Sequence, residues 1–165
     1  MLQARHKDRG CLNCSKSNSK LALVGTLFSQ TIYMNWRIDS TSLPSYLRVS
    51  TEGDVSSQDF TSMWNDILAQ DGWVPGTSVF FDNRGLNAVP QDGSGVDMTS
   101  IATDYFESRA ADIGAARIAI LMKVRANYKY GRQFQIGVEL RRVPVKLQMF
   151  FDEAEALSWL VNGKL

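Results

Sequence analysis

VPVKLQMFFDEAEALSWL, residues 143–160, contains a β-rich run that stops at Asp152 and an apolar helix that starts directly after it. Pro144 marks the approach to the strand, and Asp152 with Glu155 three positions on has the spacing of a capping box, which satisfies the first free N–H groups of a helix. Ala154, Leu157, Leu160 and Val161 are the expected apolar members of that helix. The same strand-then-helix cadence occurs twice upstream. SVFFD at residues 78–82 and RIAILMKV at residues 117–124 are short apolar runs, each followed by a helical pattern. Strands that alternate with helices predict an α/β sheet covered by helices.

Working toward the N-terminus, the chain keeps this order back to Met34. NWRID reads as a first strand, SLPS as a turn, and YLRVSTEG as a second strand in which Leu47, Val49 and Thr51 alternate with Arg48, Ser50 and Glu52. Together they predict a hairpin. Ser56 followed by Asp59 is a second capping-box spacing, and Phe60, Met63, Trp64, Ile67 and Leu68 then fall on one helical face. That stripe reads as core. The helix should end near Asp71 and Gly72. After SVFFD come Asn83, Arg84 and Gly85, then the turn-rich LNAVPQDGSG and a helix with Ile101, Tyr105, Phe106 and Ile113 as buried members. RIAILMKV suits a strand buried on both faces. Tyr130 and Phe134, one turn apart, open the next helix and read as core.

Composition allows one domain and separates it from a leader. The chain has 165 residues, is 44% hydrophobic and carries net charge +1. Residues 1–33 hold Arg5, Lys7, Arg9, Lys16 and Lys20 against Asp8 alone, a net +4, which leaves −3 for the rest. A mildly acidic body lacks the clustered cations that a phosphate backbone requires, so no nucleic-acid partner is expected. Residues 1–33 read as a basic, disordered leader, or as upstream sequence translated ahead of a true start at Met34. Cys11 and Cys14 form a lone CxxC which, with His6, offers three ligands where a structural zinc site wants four. LALVGTLF, residues 21–28, is far shorter than the roughly 20 apolar residues of a membrane span. No metal, no cofactor and no integral membrane segment are expected.

From Met34 to Leu165 the hairpin, WNDILAQDGWVPG, SVFFDNRG, RIAILMKV, YGRQF and FFDEAEALSWL together resemble the STAS/SpoIIAA-like domain family. That resemblance implies one α/β domain over residues 34–165. Its fold would be a four- or five-stranded mixed sheet with an N-terminal hairpin and about four helices. Anti-sigma factor antagonists and the cytoplasmic tails of anion transporters share it. In the regulatory branch a serine in a DSSG-type loop is phosphorylated at a helix start. The comparable residues here are Asp92, Gly93, Ser94 and Gly95, with Gly93 in place of the first serine. Ser94 is thus the candidate phospho-acceptor, and Asp97 three residues on gives it an equal reading as a plain helix cap.

Ligands of open α/β sheets collect outside the carboxyl ends of the strands. That edge should gather Asp82, Asn83, Arg84, Ser94, Lys123, Arg125, Tyr130 and Arg132, of which Asp82, Asn83, Arg84, Arg125, Tyr130 and Arg132 form the candidate rim for a ligand or partner. Arg84 and Arg132 could bind anions through their guanidinium forks; the competing reading for Arg84 is an internal pair with Asp82 or Asp104. The segment 34–165 has neither histidine nor cysteine, and no catalytic residue is assigned. The expectation is a bacterial-type, cytoplasmic, non-catalytic module that binds a protein partner or a small ligand. A homodimer is compatible with it. The alternatives are a phosphorylation-controlled anti-sigma-factor antagonist acting through Ser94 and an enzyme using the polar rim.

Overall fold

Hydrophobic alternation and helical stripes become five strands and five helices among the described residues of the computed structural model. These residues are 34–87, 98–123 and 125–163, and the side chains of residues 125 and 126 are not among those described. The leader residues His6, Cys11 and Cys14 and the loop residues Asp92, Gly93, Ser94, Gly95 and Asp97 lie outside them. Residues Thr31–Leu165 form one unit.

In chain order the elements are β1 (Asn35–Asp39), β2 (Leu47–Gly53), α1 (Ser57–Leu68), β3 (Val79–Leu86), α2 (Met98–Ser108), α3 (Ala110–Ile113), β4 (Arg117–Leu121), α4 (Arg125–Leu140), β5 (Lys146–Phe150) and α5 (Glu153–Asn162). The five strands form one mixed sheet in the order β1-β2-β3-β4-β5. β1 and β2 are the antiparallel hairpin, and every later pairing is parallel. β3 is central, and its Val79, Phe80 and Phe81 are all buried, because helices cover both faces of the sheet.

The caps explain where the helices start. Ser56 accepts from the Asp59 N–H at 3.1 Å, and its hydroxyl donates to the Asp59 carboxylate at 2.6 Å. Asp152 accepts from the Glu155 N–H at 2.9 Å. α5 ends at Gly163, whose left-handed φ of 65° suits a residue without a Cβ.

The two faces differ in size. Leu47, Val49, Val79, Phe81, Ile118, Ile120 and Leu147 point toward α1, α2 and α4 and build the main core with Trp64, Phe106 and Val138. Phe80, Ala119, Leu121 and Phe150 point the other way and meet α5, through Ala156, Trp159 and Leu160, with Tyr46 packed against the same cluster.

Three sequence expectations need correction. α5 buries Ala156, Trp159 and Leu160, whereas Ala154 and Val161 are exposed, so its apolar face is rotated from the expected one. The helix expected to run to Ile113 is two helices, α2 and α3. β3 does not stop at Asp82 but continues to Leu86 through a register shift against β2. There Ser50 pairs with Asp82 and Glu52 with Gly85, so Asn83 and Arg84 together oppose Thr51. This is a β-bulge. A Cβ on Gly85 would lie 2.6 Å from the Thr51 carbonyl oxygen, which is why the strand continues here through a glycine.

Candidate functional site

The side of the sheet each residue faces decides what the expected rim can do, and alternation holds into the bulge as far as Arg84. Ahead of it, alternation sends Phe81 to the main core and Asp82 to the α5 face. At the bulge Asn83 turns to the main-core side and Arg84 to the α5 side. The extra residue then brings Leu86 back to the main-core side. The rim is therefore divided between two environments.

On the α5 face, Asp82 and Arg84 belong to a closed ion network. Arg48 of β2 reaches Asp82 at 3.1 Å and Glu153 of α5 at 2.8 Å, while Arg84 reaches Asp82 at 2.6 Å and Glu153 at 3.0 Å. The Arg48 guanidinium also lies 4.7 Å from the centre of the Phe80 ring, a cation–π contact over the small core. Hydrogen bonds from Arg84 hold the Asp82 carboxyl below the usual carboxylate range, against burial, which acts in the opposite direction. The bond to Asp82 raises the Arg84 guanidinium above its ordinary value. Arg84 is thus paired with Asp82, the internal pairing weighed for it, while Asp104 pairs with Arg141 instead. The network ties β2, β3 and α5 together, and both of its carboxylates are shared between two arginines.

On the opposite face a cavity of about 160 Å³ lies between the sheet and helices α1, α2 and α4. Its walls are mostly apolar: Phe60, Met63 and Trp64 from α1, Ala102 and Phe106 from α2, and Phe134 from α4. Polar lining residues cluster at the carboxyl edge of the sheet. They include Asn83 from the β3 bulge, Lys123 just past β4, and Asn127 and Tyr130 from the first turns of α4. The Thr51 hydroxyl donates to Asn83 Oδ1 at 2.9 Å and so fixes the amide, and Asn127 Nδ2 donates to the Asn87 carbonyl at 3.0 Å. Lys123 is the one charged residue among the described lining residues.

Of the expected rim, then, the structure brings together Asn83 and Tyr130, adds Lys123 from the wider sheet edge, and separates Asp82 and Arg84 from them. Arg132 is exposed on α4 and donates to Gln135 Oε1 at 2.5 Å. Arg125 is the first residue of α4. Among the described residues, no three His, Cys, Asp or Glu side chains are grouped to hold a metal ion.

The sequence reading treated Phe60, Met63, Trp64 and Phe134 as core, and they are core residues that also wall the cavity. The hint of a cavity lay in small residues where a filled core would use large ones, at Thr51 and Ala102.

No family model matches the chain, and no curated protein matches it. A crystal structure does: an uncharacterised protein of the DUF3478 family with a SpoIIAA-like fold, from Shewanella loihica. The likeness has a TM-score of 0.50 at 17% identity and covers 80% of this chain and 97% of that one. The chain has the SpoIIAA-like fold, the α/β arrangement expected from its motifs. Among the described residues no helix is long and apolar enough to cross a membrane.

Proposed function

We propose that the domain is a non-catalytic binding module that takes a small, largely apolar ligand into the cavity between the sheet and α1, α2 and α4. The observation that carries this reading is a pocket of about 160 Å³ that is open to the surface and walled on its inner side by the main core. Native interiors are packed nearly as densely as organic crystals, and a void of this size forfeits the contacts that would otherwise hold its walls. A dry apolar cavity of about 150 Å³ accommodates a benzene-sized molecule. Binding there would recover the missing contacts.

The chemistry of the lining favours binding over catalysis. The described lining residues include no Asp, Glu, His, Cys or Ser, so neither a carboxylate or imidazole base nor a thiol or serine nucleophile is among them. Asp82, the carboxylate at the sheet edge, lies on the other face with its charge engaged by Arg48 and Arg84.

Toluene tests the reading. At a concentration near 100 times its Kd, a ligand that binds only the folded state raises stability by about 2.7 kcal/mol, a rise of several degrees in Tm. The expected result is such a rise for the wild-type chain and none for Ala102→Phe, whose ring would occupy the cavity. An unchanged Tm in the wild type would overturn the proposal.

A further inference from the structure

The polar residues of the cavity all lie at one end. Asn83 is on the last part of β3, Lys123 directly follows β4, and Tyr130 is on the second turn of α4. The opposite end, against Trp64, Phe106 and Ile118, is apolar. A ligand that fits this division has an apolar body and one polar head.

The sign of the head follows from what the lining offers. Lys123 brings three N–H donors and a positive charge, and no carboxylate shares the described lining with it. Among the described residues, neither the Lys123 ammonium nor the Tyr130 hydroxyl has a hydrogen-bond or ion-pair partner. Asn83 Oδ1 is engaged by Thr51, which leaves the donor end of the amide, Nδ2, without a partner among the same residues. The contrast with the sheet's other face is direct, since there Arg48 and Arg84 each touch two carboxylate side chains. Donors without a partner among the described residues, in the lining of an apolar cavity that holds no carboxylate, are the complement of an anionic acceptor.

We infer that the cavity selects small amphiphilic carboxylates, an aryl or short branched body carrying one carboxylate that meets Lys123, Tyr130 and Asn83. This rests on the cavity being a binding site and adds which ligand it takes. Lys123 supplies the charge. Tyr130 and Asn83 supply directional donors that discriminate a carboxylate from an apolar group of the same size. A cationic amine would place like charge beside Lys123 and would be rejected.

The test measures binding of 3-phenylpropanoate, its neutral amide and 3-phenylpropylamine to the full chain by calorimetry at low salt. A charge-assisted hydrogen bond should make the carboxylate bind at least about tenfold more tightly than the amide, with the amine weakest. Lys123→Met should abolish the preference for the carboxylate over the amide without lowering Tm, because Lys123 is exposed and its loss leaves the core intact. Tyr130→Phe should reduce the preference in part. Equal affinity for carboxylate and amide would overturn the inference and leave the cavity reading standing. Failure of all three to bind, together with no response to toluene, would overturn both. A carboxylate preference that survives Lys123→Met would also overturn it, by placing the anion elsewhere.

Discussion

The two faces of the sheet are built from the same alternating strands and solve opposite problems. The α5 face is small and sealed. Its apolar cluster around Phe80, Leu121 and Trp159 is capped by Arg48, Asp82, Arg84 and Glu153. The α1, α2 and α4 face is larger and underfilled, with an edge-to-face aromatic group of Trp64, Phe106 and Phe134 beside an open cavity. Charge alone would therefore point to the α5 face, where both arginines are already paired. The residues most striking in sequence, Asp82 and Arg84, are occupied with each other and with α5. Among the described residues, the more ordinary Asn83, Lys123 and Tyr130 keep donors without a partner.

The sharpest way to break this comparison is to remove a wall of the larger core. Trp64 is 1% exposed and its ring centre lies 4.7 Å from that of Phe106. Trp64→Ala should cost about 3–5 kcal/mol in chemical unfolding, the range for truncating a buried aromatic residue. A loss under about 1 kcal/mol would mean that this face is not the stabilising one.

Asp82→Ala attacks the sealed face and should have a smaller effect. The Asp82 side chain is 13% exposed and bonded to two arginines, so its removal should cost about 2 kcal/mol at neutral pH. Its carboxyl is lowered in the folded chain, first by the hydrogen bond from the Arg84 side chain. The stabilisation is then fully present above the unfolded value of about 3.9 and is lost as pH falls through the lower folded value. Wild type and Asp82→Ala should differ by a constant amount from pH 7 to 5 and converge in more acid solution. A difference that stays constant to the acid limit would assign the cost to packing rather than charge.

Arg84→Ala should have the smallest effect. Arg84 is 46% exposed, and Arg48 continues to hold both Asp82 and Glu153 after it is lost. Exposed pairs of this kind contribute about 1 kcal/mol or less and weaken with salt. Denaturation at low and high salt would measure it, and binding of 3-phenylpropanoate should be unchanged, since Arg84 lies across the sheet from the cavity.

Element identity was legible because it rests on short-range rules. Alternation at Leu47, Val49 and Thr51 marked β2, and the stripe from Phe60 to Leu68 marked α1. Ser56 and Asp152 marked two helix starts, each confirmed by its capping bond. The rotation of α5 was not legible, because Ala154, Ala156, Leu157, Trp159, Leu160 and Val161 allow more than one apolar face. Packing against Phe80 and Phe150 selects the one with Trp159. The site was legible only as a set of residues near the strand ends. Asn83-Arg84-Gly85 reads equally as a turn or as a strand, and the pairing with β2 makes it a bulged strand.

The sequence by itself determined an α/β domain with a leading hairpin, three strand-helix units and a body without a basic surface, since periodicity, capping and composition act over a few residues or over the whole chain. Only the tertiary structure decided that Leu86 returns to the main-core side, because one extra residue in β3 reverses the alternation beyond Arg84, and that Asp82 and Arg84 find Arg48 and Glu153 on the other side. It alone decided that Phe60, Trp64, Ala102 and Phe106 leave a space between them, since a cavity is a property of residues distant in sequence and close in space.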